Sequence, residues 1–206
     1  MSDDVVLVDV ADGVMTITIN RPEAKNAVNK AVAEGISAAI DELESNDALR
    51  VAIITGAGGT FCSGMDLKAF VTGELPIVEG RGFAGLVEYL VKKPVIAAVE
   101  GYALAGGFEV AISCDLIVVS EEAKFGIPEV KRGLAAAGGG LIKLPKQIPA
   151  RVAMELALTG DFVSAGRAYE LGLVNQVVAA GTAQEAPKAQ ADKKPPHRPQ
   201  AGAANT

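Results

Sequence analysis

The chain of 206 residues has no tryptophan, one histidine, two cysteines and no excess of basic residues. Each shortage closes a class of function. The formal net charge of -6 leaves no general basic face for nucleic acid, although local donors could still hold a small anionic ligand. Cys62 and Cys114 lie far apart without a CxxC spacing, so they read as reduced intracellular thiols, neither a disulfide frame nor a zinc site. His197 stands in a Pro/Ala-rich end, which removes a histidine-based triad or a histidine metal site, and no metal is expected. No run reaches the ~18 apolar residues of a membrane span. The acidic start MSDDVVLVDV lacks the basic n-region and apolar stretch of a signal peptide. The expectation is a soluble cytoplasmic protein.

Half of the residues are apolar although aromatics are scarce, enough for one domain with a sizeable core. Val5 to Val10 and Val14 to Ile19 are β-branched runs on either side of Ala11-Asp12-Gly13, which predicts an opening hairpin. Val32, Ile36, Ile40 and Leu43 recur at helical spacing between about Asn29 and Glu44. Strands are predicted at Val51 to Thr55, Pro94 to Val99 and Leu116 to Val119, and helices at Phe108 to Ser113 and Glu155 to Thr159. Alternating strands and helices give an α/β class with parallel pairing in the core. Residues 182–206 contain no Val, Ile, Leu, Met, Phe or Tyr and hold four prolines. They are expected to form a disordered tail behind a core of residues 1–181.

Two glycine-rich turns follow strands, at TGAGGTFCSG (55–64) and GYALAGG (101–107). A dinucleotide site is one reading, and Tyr89-x-x-x-Lys93 resembles the pair of short-chain dehydrogenases. The order is wrong for it, because the glycine turn does not follow the first strand and Pro94 directly follows the lysine. The alternative uses both turns together. Free N–H groups at two helix starts can converge on one oxygen, as in an oxyanion hole. Packing glycines alone would explain the same pattern.

Within GYALAGGFEVAISCD, Glu109 is the only charge before Asp115, and it falls in the first turn of a helix starting near Gly106 or Gly107. The helix dipole favours its ionised form and apolar surroundings favour the protonated one. A capping glutamate facing water is the plainer alternative. A second carboxyl, Glu129, follows Pro128 in another apolar stretch, and two such groups can flank a substrate and hold a water between them.

These segments resemble the crotonase (enoyl-CoA hydratase/isomerase) superfamily from about Val5 to Val178. The carrying motifs are NRPEAKNAVN (20–29), AIITGAGGTFCSGMDLKAF (52–70), KPVIAAVEGYALAGGFEVAISCDLIVVSEEAKFGIPEV (93–130) and LTGDFVSAGRAYELGLVNQVV (158–178). The resemblance implies a spiral of ββα units and an acyl-CoA thioester as substrate, with no cofactor beyond the coenzyme A that the substrate carries. It places the amides of Met65 and Gly106 as an oxyanion hole, and Glu109 and Glu129 as the catalytic pair. Ala24, Met65, Asp66, Leu67, Lys68 and Gly106 become contacts of the CoA substrate. Possession of both glutamates implies an enoyl-CoA hydratase, with an isomerase, a specialised dehydratase such as one for carnitinyl-CoA, or an idle acyl-CoA binder as alternatives.

Three departures stand out. Ala105 replaces the first glycine of a Gly-Gly-Gly run. GLAAAGGG (133–140) replaces a Gly-x-x-Pro-Gly-x-Gly-Gly pattern near the acyl end. Family members continue beyond the equivalent of Val178 in helices that pack on a neighbouring subunit of a trimer or hexamer. The chain is therefore expected to be truncated, with weaker oligomerisation and a more open acyl-CoA site.

Overall fold

A computed structural model describes residues 4–191. The chain opens as the hairpin expected from its turn: β1 (Val6–Ala11) pairs antiparallel with β2 (Val14–Ile19), and Asp12 and Gly13 both take positive φ at the bend. α1 (Lys30–Ser45) is capped by Asn29, whose side chain accepts from the Val32 amide. Its buried face is Val32, Ala33, Ile36, Ala39, Ile40 and Leu43, the apolar stripe of the sequence with two alanines added.

From there the chain repeats one pattern. A strand in the large sheet is followed by a short strand in a second layer and then by a helical turn. The first unit is β3 (Val51–Gly56), a single bridge residue at Cys62, and α2 (Leu67–Val71). After a small hairpin of β4 (Ile77–Val78) and β5 (Gly82–Phe83) comes β6 (Val95–Val99), β7 (Tyr102–Leu104) and α3 (Gly106–Ala111). The third unit is β8 (Leu116–Ser120), β9 (Lys124–Gly126) and a 3-10 turn at Pro128–Arg132. Then follow α4 (Gly140–Gln147), α5 (Ala150–Thr159), β10 (Val163–Ser164), α6 (Ala165–Glu170), β11 (Gln176–Val178) and α7 (Glu185–Ala191).

The large sheet runs β1-β2-β3-β6-β8-β11 and is parallel from β2 onward. In the second layer Cys62, Ala103 and Phe125 lie side by side, and Val163 of β10 closes the row. This is the expected ββα spiral. Its consequence is positional: Met65 and Gly106 lie three residues beyond the paired Cys62 and Ala103, and Glu129 lies four beyond Phe125, each in the turn that follows a second-layer strand.

Side chains alternate across the strands as a pleat requires. Ala52, Ile54, Ala97, Val99 and Val119 enter the main core, while Val51, Ile53, Ile96, Ala98 and Val118 form a smaller cluster on the other face. Here the expected tail is corrected. Residues 182–191 do not read as unstructured: they carry α7, Ala183 is fully buried, and Ala186 packs on the outer cluster. Glu100 secures this segment by accepting from the amides of Gly181 and Ala183. The remainder of the expected tail, with His197, lies outside the described residues. No described helix is long and apolar enough to cross a membrane.

Candidate functional site

The turns after the first two second-layer strands lie against each other. Gly64 has φ +105, and a Cβ placed on it would sit 2.9 Å from the Ala105 Cβ and 3.3 Å from the Gly106 nitrogen. Bonds on either side fix the Met65 peptide: Val28 N–H donates to Gly64 O, and Asp66 N–H donates to Val28 O. Among the described backbone bonds Met65 N–H donates to nothing. Gly106 is the first residue of α3, where an amide has no partner within the helix. Two unspent amides therefore stand on adjoining loops.

Ala105, just before them, has φ 51 and ψ -129, a conformation costly for a residue with a Cβ. Its N–H donates to Gly126 O, which fixes it to the neighbouring unit. The substitution of alanine for the usual glycine thus leaves the Gly106 amide in place and stores strain beside it.

Glu109 lies on α3 at 3% exposure. Water does not face it, so the solvent-exposed cap considered from the sequence is set aside. Gly140 N–H donates to its Oε1 at 2.8 Å, and the Gly138 amide and the Lys143 ammonium also favour its anion. Burial outweighs them and pushes its pKa above the ordinary glutamate value. The fit is close. A Cβ on Gly138 would come within 2.5 Å of Glu109 Oε2, and one on Gly140 within 3.0 Å of Oε1.

Glu129, in the Pro128–Arg132 turn, is half-buried, and its Oε2 is buried without a hydrogen-bond partner. Burial raises its pKa and the nearby Glu109 charge raises it further, against its own main-chain amide. The two carboxyls are thus close enough to repel.

This pair gives the protein a definite pH response. In the unfolded chain each glutamate titrates near 4.5, and in the fold each keeps its proton to higher pH. The folded state binds more protons across that window. Stability present below about 4.5 is lost as pH rises through the folded values. The double variant Glu109→Gln/Glu129→Gln lacks this loss. Its melting temperature relative to the parent is expected to be higher at about pH 7 than at about pH 4, as thermal scans would show.

At the rim, Arg21 joins the 3-10 turn at Pro22–Ala24 to the Met65 loop. Its guanidinium donates to Asp66 Oδ2 at 2.9 Å and to Ala27 O at 2.6 Å. Asp66 Oδ1 also accepts from the amides of Lys68 and Ala69, capping α2, and these donors hold its carboxyl below the ordinary aspartate value against desolvation. The Asp66 side chain is therefore committed within the fold, and so is its main chain, whose N–H donates to Val28 O and whose carbonyl accepts from Phe70 N–H. Ala24 is partly exposed, while Leu67 and Lys68 are exposed on the same rim.

The profile of the family described as Enoyl-CoA hydratase/isomerase matches residues 9–193. The chain belongs to that family. It is 59% identical to an enoyl-CoA hydratase from Mycobacterium tuberculosis H37Rv, with a TM-score of 0.91 over 93% of this chain and 75% of that one. It is 40% identical over 184 residues to a carnitinyl-CoA dehydratase of Proteus mirabilis, covering 87% of this chain and 70% of the other. A mevalonyl-coenzyme A hydratase of Aspergillus fumigatus is 42% identical over 172 residues, 80% of this chain and 63% of that protein.

Within this member of the family the sequence-predicted residues fall into two groups. The Met65 and Gly106 loops touch, Glu109 lies one turn along α3 from Gly106 with its charge acting on Glu129, and Ala24, Asp66, Leu67 and Lys68 lie around the Met65 loop. Sequence reasoning missed the groups that hold them: Arg21, the amides of Gly138 and Gly140, Lys143, and Phe83, whose ring would meet a Cβ on Gly106 at 2.5 Å. The run of three glycines at 138–140 was the available signal for the amides around Glu109.

Proposed function

We propose that the protein is an enoyl-CoA hydratase, adding water across the 2,3 double bond of a 2-enoyl-CoA to give the 3-hydroxyacyl-CoA. The observation that carries this reading is the pair of glutamates, one buried and one half-buried, with unequal surroundings, set beside two unspent amides. Family membership and the relatives' names support an acyl-CoA substrate.

The thioester carbonyl lies between Met65 N–H and Gly106 N–H, which stabilise negative charge as it builds on oxygen. Each such donor is worth roughly 3 kcal/mol in a transition state. One water sits between the carboxyls. Glu109 is the anion, because two amides and Lys143 favour its charge. Glu129 is the acid, because its Oε2 has no donor and the Glu109 charge opposes its ionisation. As the water oxygen bonds to C3, Glu109 takes its proton, and the C2–C3 π electrons move toward the carbonyl as an enolate. Glu129 delivers its proton to C2 and the carbonyl re-forms. Glu109 then releases a proton and Glu129 regains one through solvent water. These steps use no metal or redox group. Lys68 on the rim is the exposed cation for the phosphates of coenzyme A.

The test is incubation with crotonyl-CoA and longer 2-enoyl-CoAs. Loss of enoyl absorbance with gain of one water by mass is the expected result, and Glu129→Gln should abolish most of it. Full turnover by Glu129→Gln would contradict the role of that residue. A shifted double bond without a mass change would mark an isomerase.

A further inference from the structure

Among the described residues Lys143 is the cation whose charge reaches Glu109. It projects from α4 one turn beyond Gly140, whose amide grips Glu109. Its Nζ donates to Ser113 Oγ at 2.6 Å and to the Val87 carbonyl. Ser113 Oγ in turn donates to the Glu109 main-chain carbonyl at 2.6 Å. Since the Ser113 hydroxyl proton is spent there, Ser113 Oγ can only accept from Lys143. A turn further along α4, the Gln147 side chain donates to Ile112 O at 2.8 Å. One face of α4 thus holds Glu109 at both ends: Gly140 at the carboxylate, and Lys143 through Ser113 at the backbone.

We propose that Lys143 is a positioning residue for Glu109, tying the end of α3 to the Val87 loop and keeping a positive charge beside the buried carboxylate. This rests on the hydratase reading only for its catalytic meaning. The charged and titratable groups that face Lys143 are Glu109 on α3, Cys114 just after it, and Glu88 of the loop before β6. Those that face Glu109 are Lys143 and Glu129. Burial holds the Lys143 pKa below the ordinary lysine value, against Cys114, Glu109 and Glu88, which favour the ammonium.

The experiment is a 13C NMR titration of the Glu109 carboxyl, assigned by its loss in Glu109→Gln, together with the pH profile of kcat on crotonyl-CoA. In Lys143→Met the Glu109 midpoint should rise by roughly one pH unit, and the acid limb of kcat should follow it. Lys143→Arg should keep both near the parent values. A Lys143→Met protein with an unmoved midpoint would overturn the proposal, even if its turnover fell. If that variant does not fold, Lys143→Gln, which keeps a donor without the charge, is titrated instead. A raised midpoint supports the proposal and an unmoved one overturns it. Failure of both neutral variants to fold would make Lys143 a residue of the fold and end its assignment to Glu109. A parent protein without hydratase activity whose Glu109 midpoint still moves would reject the hydratase reading and leave the coupling standing.

Discussion

Glu109→Gln should lower kcat for the hydration of crotonyl-CoA by about 10²–10⁴-fold, the usual worth of a positioned general base. The substitution nearly preserves shape. The amide oxygen of glutamine can still accept from Gly140 N–H, and the side chain stays in the same buried slot. What it removes is the capacity to take the proton of the attacking water. The protein should remain folded, because the carboxylate is already disfavoured by burial and a neutral group relieves that cost. Stopped-flow measurement of enoyl absorbance with a parallel thermal scan checks both halves. Parent-like kcat in a folded Glu109→Gln protein would show that Glu109 is not the base.

Gly107→Ala should cost roughly 3 kcal/mol of stability or more, at the upper end of overpacking effects. A Cβ at this position would stand 2.3 Å from the Cys62 carbonyl oxygen and 2.8 Å from its carbon. Both belong to backbone that pairs the first two ββα units, through Leu104 N–H to Cys62 O at 3.0 Å. No side-chain movement relieves such a contact. The adjacent Gly106→Ala gives the internal control, since its Cβ meets the end of the Phe83 side chain rather than backbone. Urea denaturation of the two variants should therefore separate them clearly. Equal and small losses at both positions would mean that the loops are not held together as described.

These two effects explain why some of the site could be read from the sequence and some could not. Periodicity carries local structure. The Asp12-Gly13 turn, the α1 stripe and the β-branched strands all follow from it. Glu109 was conspicuous as a lone charge in a run of alanine and glycine, and it was the second carboxyl, Glu129, that set it against a plain capping glutamate. The groups that surround Glu109 left no such mark. Gly140 and Lys143 lie more than thirty residues further along the chain, and only the packing of α4 on α3 aims them at it. Arg21 likewise reaches Asp66 across 45 residues. The segment after residue 181 failed for another reason. A lack of large apolar side chains does not mean a lack of core contact. Small groups suffice there: Ala186 packs on the outer face of the sheet, and Ala183 is fully buried.

The arrangement also shows why a repeating fold suits this chemistry. In the proposed mechanism each ββα unit contributes one group from the turn after its second-layer strand: the Met65 amide, the Gly106 amide, then Glu129. Glu109 comes one helical turn beyond the second. Amide geometry set by three parallel ladders needs little reorganisation when charge develops on a bound oxygen, which is the condition for electrostatic stabilisation to be large.

The most direct test is a crystal structure of Glu109→Gln with a 3-hydroxyacyl-CoA bound. The thioester oxygen is expected about 3 Å from both Met65 N and Gly106 N, with the C3 hydroxyl between residue 109 and Glu129. A thioester oxygen bound away from either amide, or a C3 hydroxyl facing away from both side chains, would contradict the account.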